Sequence, residues 1–260
     1  MDPTLELILA ILTIILPLLG GGFTAIMFYY RDIMEKEPKE QIVKALFWGI
    51  LAGVLCISIT VPMYFLAKKW LEQTIIIWKE IVLLLGFVII QAIFEEVIKG
   101  LILWQAILKS SHEIDGLFDG FFYGAMIGTG AGVVDAIVYG ILGGDWIEGL
   151  EIALIRTIRI PGTHALFTGI IGLFFAWRIF KEKNMLPGII YALGLHLIWN
   201  IITFFIFRFF VGFYYYLANF IILVLYLLIM TLTSYFAVKY DQKNFPIDKR
   251  EIVKKNEKKL

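Results

Sequence analysis

Residues 81–108 read IVLLLGFVIIQAIFEEVIKGLILWQAIL, an apolar stretch whose only charges are Glu95, Glu96 and Lys99. The stretch is long enough to cross a bilayer as an α-helix. A carboxylate at the centre of a bilayer costs at least ~3 kcal/mol on insertion scales. Two adjacent acids must therefore face other helices or a water-filled cavity. The stretch predicts a membrane-spanning helix and marks where a functional site should be sought.

Similar apolar runs recur along the whole chain. Its 260 residues are 60% hydrophobic, whereas roughly half are apolar in a soluble domain. This composition predicts an all-α polytopic protein of the cell membrane, in contact with the lipid bilayer. The net charge of +1 gives no reason to expect a nucleic-acid partner. About seven spans are predicted, at residues 6–29, 43–67, 79–108, 116–141, 162–180, 186–207 and 212–238.

Two further features complete the predicted topology. Segment 146–160 mixes charged and apolar residues at helical spacing, so it either lies at the interface or forms an eighth, partial span. With the N-terminus outside, the inner segments hold 16 Lys and Arg and the outer segments hold 6. This bias favours an N-out, C-in orientation. We predict one transmembrane domain over residues 1–240 and a polar cytoplasmic tail over residues 241–260.

The glutamate pair has two readings. On a helix, Lys99 lies at i+4 from Glu95 and i+3 from Glu96, so it can pair with either acid. A structural ion pair between helices would explain one acid and the lysine. The second acid has no such partner in the motif, which favours a functional role for the pair.

Polar residues interrupt three other apolar spans. Asp135 lies in GTGAGVVDAIVYG, and an intramembrane acid needs a partner. His164 lies in RIPGTHALFTG, and His196 and Asn200 are spaced i, i+4, which places them on one helical face. Interhelical hydrogen bonds are the structural alternative for each of them. As a set, they could converge with the glutamates on one site.

Carboxylates and imidazoles around an internal water are typical of hydrolysis. A glutamate can act as general base, and a histidine can stabilise the oxyanion or help to hold a divalent metal such as zinc. The sequence lacks the His-Glu-x-x-His and Gly-x-Ser-x-Gly motifs, which leaves a carboxylate-led or metal-assisted mechanism.

Proton relays in transporters use the same residue types, although no inverted repeat joins the two halves of the chain. Axial haem ligation by the two histidines is a further reading.

Five motifs, in this order and spacing, resemble the PrsW family of intramembrane proteases. That family is distantly related to the CAAX prenyl protease and bacteriocin-processing superfamily. The motifs are YYRDIMEKEP (29–38), FEEVIKG (94–100), DGFFYGAMIGTGAGVVDAIVYG (119–140), RTIRIPGTHALFTGIIG (156–172) and LHLIWN (195–200).

The resemblance implies cleavage of a membrane-anchored protein substrate within or near the bilayer; bacterial relatives cut anti-sigma factors. It implies that Glu95 or Glu96 is the general base, and that the other acid pairs with Lys99. His164 and His196 would then be oxyanion stabilisers or, with Glu95, metal ligands.

The resemblance also assigns Asn200 to orienting the substrate carbonyl and Asp135 to orienting a histidine or a water. The family usually carries Phe and, four residues later, Glu where this chain has Ala131 and Asp135. Aspartate retracts the carboxylate by one C–C bond, more than ~1 Å, at a site that needs placement within ~0.5 Å. An active protease, an inactive relative that binds membrane proteins, and a small proton-coupled transporter therefore all stay open.

Overall fold

The structure, a computed structural model, describes residues 2–31, 36–72, 79–108, 114–210 and 212–244. Within these ranges the chain consists of helices joined by short connections. The helices are α1 (Pro3–Arg31), α2 (Lys39–Glu72), α3 (Lys79–Leu103), α4 (Leu117–Ile141), α5 (Trp146–Arg159), α6 (His164–Lys181), α7 (Leu186–Phe209) and α8 (Phe213–Asn244). A π-helical turn follows α3, and a 3₁₀ turn at Ile160–Gly162 joins α5 to α6.

The helices match the predicted spans. Six helical segments in the described ranges are long and apolar enough to cross a membrane, with α5 and α6 counted together. Helix α3 has 25 residues and is also long enough, although it carries the three charges of the glutamate motif. The prediction of an all-α, multi-pass membrane protein is confirmed. Helix α5 has 14 residues, about 21 Å at 1.5 Å per residue, and is too short to span a bilayer alone.

Helix α4 lies at the centre of the bundle. In its most apolar window 89% of the residues are buried, against 22% in α1 and in α7. Helices α2 and α6 pack along it, and α1, α5, α8 and α3 also contact it. Large apolar side chains on α1, α2, α7 and α8 are exposed instead, as lipid-facing surfaces require. Asp135 therefore lies in the protein interior and not against lipid.

A glycine stripe on α4 sets its distance from α6. Gly120, Gly124 and Gly128 recur every four residues, and a Cβ added at each would collide with a backbone carbonyl of α6. The carbonyls belong to Gly172, Thr168 and His164, in that order. Small residues at this spacing let two helix backbones touch. The contact fixes the height of His164 relative to α4.

Replacing Gly124 by Val is expected to destabilise the protein. The added side chain must push α6 away, because it meets backbone and not a movable side chain. Overpacking of this kind costs typically ~1–3 kcal/mol. Thermal unfolding in detergent measures the effect, and Gly22→Val is the matched control because nothing lies within 4 Å of a Cβ there. Equal melting temperatures for the two variants would contradict the close-packing argument.

The end of α8 anchors the start of α4. Asp241 is buried and accepts hydrogen bonds from the backbone N–H groups of Leu117, at 2.9 Å, and Phe118, at 2.7 Å. Acidic groups at a helix N-terminus satisfy its free N–H groups and favour its dipole. The helical fold therefore runs a few residues past the predicted boundary at residue 240. Residues 245–260 of the predicted tail lie outside the described residues.

Candidate active site

A cavity of about 370 Å³ is lined by residues of α3 to α7 and the start of α8. Five of the residues singled out in the sequence line it together. They are Glu95, Asp135, His164, His196 and Asn200. The other polar lining residues are Gln91, Tyr139, Arg156, Arg159, Thr163, Thr203 and Tyr215. The carboxylates and imidazoles from four separate spans thus share one internal space.

Glu96 and Lys99 lie behind this wall, in the core. The Glu96 Oε1 atom is 2.5 Å from Lys99 Nζ and 2.8 Å from His196 Nδ1, and both Glu96 and Lys99 are almost fully buried. The Thr168 hydroxyl lies 3.5 Å from the second carboxylate oxygen. A buried charge requires such partners because desolvation is expensive. Lys99 therefore takes Glu96 as its partner, at spacing i, i+3.

The ring of His196 is held by Glu96 and by Phe167. Hydrogen bonding to a carboxylate places the proton of a neutral imidazole on Nδ1 and leaves a lone pair on Nε2. The Phe167 ring stacks on the imidazole, with centroids 4.9 Å apart and planes inclined by 22°. Nε2 faces the Glu95 Oε2 atom at 3.9 Å. His196 is thus oriented on one side to present an acceptor atom on the other.

Glu95 differs from its neighbour because it faces the cavity. Its Oε1 atom accepts a hydrogen bond of 2.7 Å from Gln91, and the same Gln91 amide lies 3.4 Å from the Tyr139 hydroxyl. Its Oε2 atom points toward His196 Nε2. Two acceptor atoms that face each other across 3.9 Å repel unless a proton, a water or a cation lies between them. A proton, a water or a cation is therefore expected between these two atoms.

Asp135 is paired mainly with an arginine. Its Oδ2 atom lies 2.5 Å from Arg156 and 3.6 Å from His164 Nε2, and the latter distance exceeds a hydrogen bond. The Arg156 guanidinium also lies over the Tyr139 ring, 3.7 Å from its centroid. The His164 ring is 6.3 Å from the His196 ring, and its Nδ1 atom is buried without a hydrogen-bond partner. His164 is therefore close to the site but only loosely oriented.

Sequence reasoning did not assign roles to Arg156 and Arg159. Both were counted as charges of an outer segment, whereas α5 packs against α4 and turns them into the cavity. A signal was present in their i, i+3 spacing on an amphipathic segment. Asp135, an intramembrane acid that needed a partner, was a second signal. Neither feature identifies the pair without the packing of α5.

The donor types around the cavity suit a divalent metal, but the arrangement is incomplete. Glu95 and His196 present two donor atoms to one point, and the buried, unpartnered Nδ1 of His164 is a third donor of the right kind. In the described ranges, no group of three His, Cys, Asp or Glu side chains is close enough to hold a metal ion. Catalytic zinc sites use three protein ligands. Rotation of the His164 ring toward the pair would be needed to supply the third.

The helical bundle and its internal polar cavity define a multi-pass membrane protein with a candidate hydrolytic site. The model of the "PrsW family intramembrane metalloprotease" family matches residues 37–229, well over half of the chain. The chain belongs to the PrsW family, as its motifs predict.

One similar curated protein is the "Protease PrsW" of Geobacillus kaustophilus (strain HTA426). The two are 24% identical over 157 residues, which are 60% of this chain and 62% of that relative. The chain thus matches less than two thirds of the relative's length. No solved structure matches the chain.

Proposed function

We propose that this protein is an intramembrane endopeptidase that cleaves a membrane-anchored protein substrate with a water activated by Glu95. The main observation in support is that Glu95 Oε2 and His196 Nε2 face each other, 3.9 Å apart, on the wall of the cavity. Membership of a family described as intramembrane metalloproteases supports the same reaction class. Glu95 takes the proton from the water as the water attacks the peptide carbonyl.

The other residues hold this arrangement in place. Glu96 orients His196, and Lys99 balances the buried charge of Glu96. His196 Nε2 holds the attacking water opposite Glu95. Asn200 lies one helical turn after His196 on the same cavity wall, where its amide orients the substrate carbonyl.

Asp135 and His164 form the opposite part of the wall. Asp135 fixes Arg156 by its ion pair, and it lies too far from His164 for a hydrogen bond. The shorter side chain of aspartate, where the family usually has glutamate, accounts for this loose contact. A rotation of the His164 ring would bring it toward the substrate or toward a metal.

In the alternative, metal-assisted form of the mechanism, Glu95, His164 and His196 would instead hold a divalent metal such as zinc, which supplies a Lewis acid and an activated water when bound. Purified protein is then expected to carry about one equivalent of zinc per chain, and His196→Ala is expected to lose it. Elemental analysis measures the metal without reference to activity. His112→Ala, which changes the chain's remaining histidine, is the control and should keep the metal. Metal-free protein that cleaves at the full rate would exclude the metal-assisted mechanism and leave the one in which Glu95 alone activates the water.

The position of the cavity indicates the side of access. Its walls come from the middle of α3, the C-terminal part of α4 and the beginning of α6. In the N-out orientation the segments from α4 and α6 lie in the extracytoplasmic half of the membrane, whereas Glu95 lies about 24 Å along α3 from its outer end. Substrates anchored by one span and cut within or near the bilayer fit this location. Anti-sigma factors, which the resemblance implies for bacterial relatives, belong to this class.

Reconstitution into liposomes with a panel of single-span reporter proteins tests the proposal. Wild-type protein is expected to release two fragments from at least one reporter, with a defined new terminus by mass spectrometry. Glu95→Gln should release none. A transporter or an inactive binding protein would leave every reporter intact, and that outcome would overturn the proposal.

A further inference from the structure

Among the described residues, the cavity wall carries one cation that has no anionic partner. Two carboxylic acids, Glu95 and Asp135, and two guanidinium groups, Arg156 and Arg159, line the wall. Asp135 and Arg156 form an ion pair, and Glu95 faces His196. Arg159 lies in no ion pair with a carboxylate anywhere in the described ranges. Its charge is therefore available to a group that enters the cavity.

Neutral groups hold the Arg159 side chain in position. Its guanidinium donates a hydrogen bond to Asn219 Oδ1 on α8 and lies 5.3 Å from the centroid of the Trp199 ring on α7. Tyr215, at the start of α8, is a further neutral neighbour. These contacts orient the guanidinium without cancelling its charge. A positioned cation in a low-dielectric cavity attracts an anion more strongly than a solvated one does.

We propose that Arg159 is a specificity-determining residue that binds an acidic side chain of the substrate next to the scissile bond. This inference rests on the proposed function, since it names the substrate class of the same site. Arginine binds carboxylates through two parallel N–H donors, which adds geometric selectivity to the charge. Arg159 and Glu95 line one cavity, so an extended substrate can contact both within a few residues. Substrates with Asp or Glu near the cut are favoured, and those with Lys or Arg there are repelled.

A lipid phosphate would satisfy the same chemistry. The carboxylate is favoured because Arg159 lines the same cavity as Glu95, and a side chain of an extended peptide reaches this wall without carrying acyl chains into the cavity. The experiment separates the two sources.

A reporter cleaved by the wild type is varied to Asp, Asn or Lys at each of four positions on either side of the cut, in phosphatidylcholine vesicles. At one position, kcat/KM is expected to be roughly 10- to 100-fold higher for Asp than for Asn, the range for a hydrogen bond between charged groups. Arg159→Gln should bring this ratio near one, and Arg159→Glu should reverse the preference to Lys. Arg178→Glu is the matched control, because Arg178 is exposed and its guanidinium donates a hydrogen bond to the backbone carbonyl of Glu182. It should keep the wild-type preference.

Binding provides a readout that does not need catalysis. Peptides spanning the reporter's membrane-proximal segment, with Asp, Asn or Lys at each position, are titrated against Glu95→Gln protein. Asp-selective binding that disappears on adding Arg159→Gln supports the inference even where no reporter is cut, in which case only the proposed function fails. Cleavage with equal rates for Asp, Asn and Lys at every position overturns the inference alone. Activation by phosphatidylglycerol that Arg159→Gln abolishes, without any substrate preference, overturns it in favour of a lipid phosphate.

Discussion

Glu95→Gln is expected to lower the rate of cleavage by more than ~100-fold, the low end of a general base's contribution, while the protein stays folded. The amide keeps the size of the side chain and can still contact Gln91, but it cannot accept a proton from water. Lys99 forms its ion pair with Glu96, and Glu95 is bonded to Gln91, so replacing Glu95 leaves the partner of the buried cation in place. Fragment release in liposomes measures the loss, and thermal unfolding measures the intact fold.

The matched control for this variant is Glu40→Gln. Glu40 lies exposed in the first turn of α2, away from the cavity. The Glu40→Gln variant should cleave at the wild-type rate. Wild-type cleavage by both Glu95→Gln and Glu96→Gln would show that neither glutamate is the base, and the mechanism proposed for this site would be wrong.

Glu96→Gln is expected to lower both stability and activity. The substitution leaves Lys99 as an uncompensated charge in the core, and breaking a buried pair by removing one partner costs ~3–5 kcal/mol. It also weakens the hydrogen bond that fixes the tautomer of His196. The expected result is a large fall in the midpoint of unfolding, together with slower cleavage. The two Gln variants therefore differ most in stability.

A second substitution separates the two effects of Glu96. Adding Lys99→Met to Glu96→Gln removes the stranded charge, so most of the stability should return. Activity should stay low, because His196 still lacks its carboxylate. Stability of Glu96→Gln equal to that of Glu95→Gln would contradict the assignment of Glu96 to the core.

The order of helices could be predicted from the sequence because the solvent constrains it. A span must be apolar over about 20 residues to cross a bilayer. Each membrane-spanning helix can therefore be recognised in the sequence as a long run of apolar residues. The predicted span over residues 116–141 and helix α4 differ by one residue at the start. The convergence of acids and imidazoles followed from the same physics, since none of them can face lipid cheaply.

The partners of the charged residues could not be predicted in the same way. The sequence does not decide whether segment 146–160 lies at the membrane interface or forms a partial span, because amphipathic spacing alone does not say what its polar face contacts. The packing of α5 on α4 turns Arg156 toward Asp135 and Arg159 into the cavity. These contacts join residues far apart in the sequence, and local propensity carries no information about them.

The sequence by itself determined that the two adjacent glutamates point in different directions, because neighbouring side chains on a helix lie about 100° apart. It did not determine which of the two faces the cavity. Spacing allows Lys99 to reach either acid with similar local energy. The packing of α7 distinguishes them, because its His196 forms a hydrogen bond with Glu96, which also pairs with Lys99 in the core. Glu95 faces the cavity as a consequence, because a buried charge must satisfy partners that only the assembled helices provide.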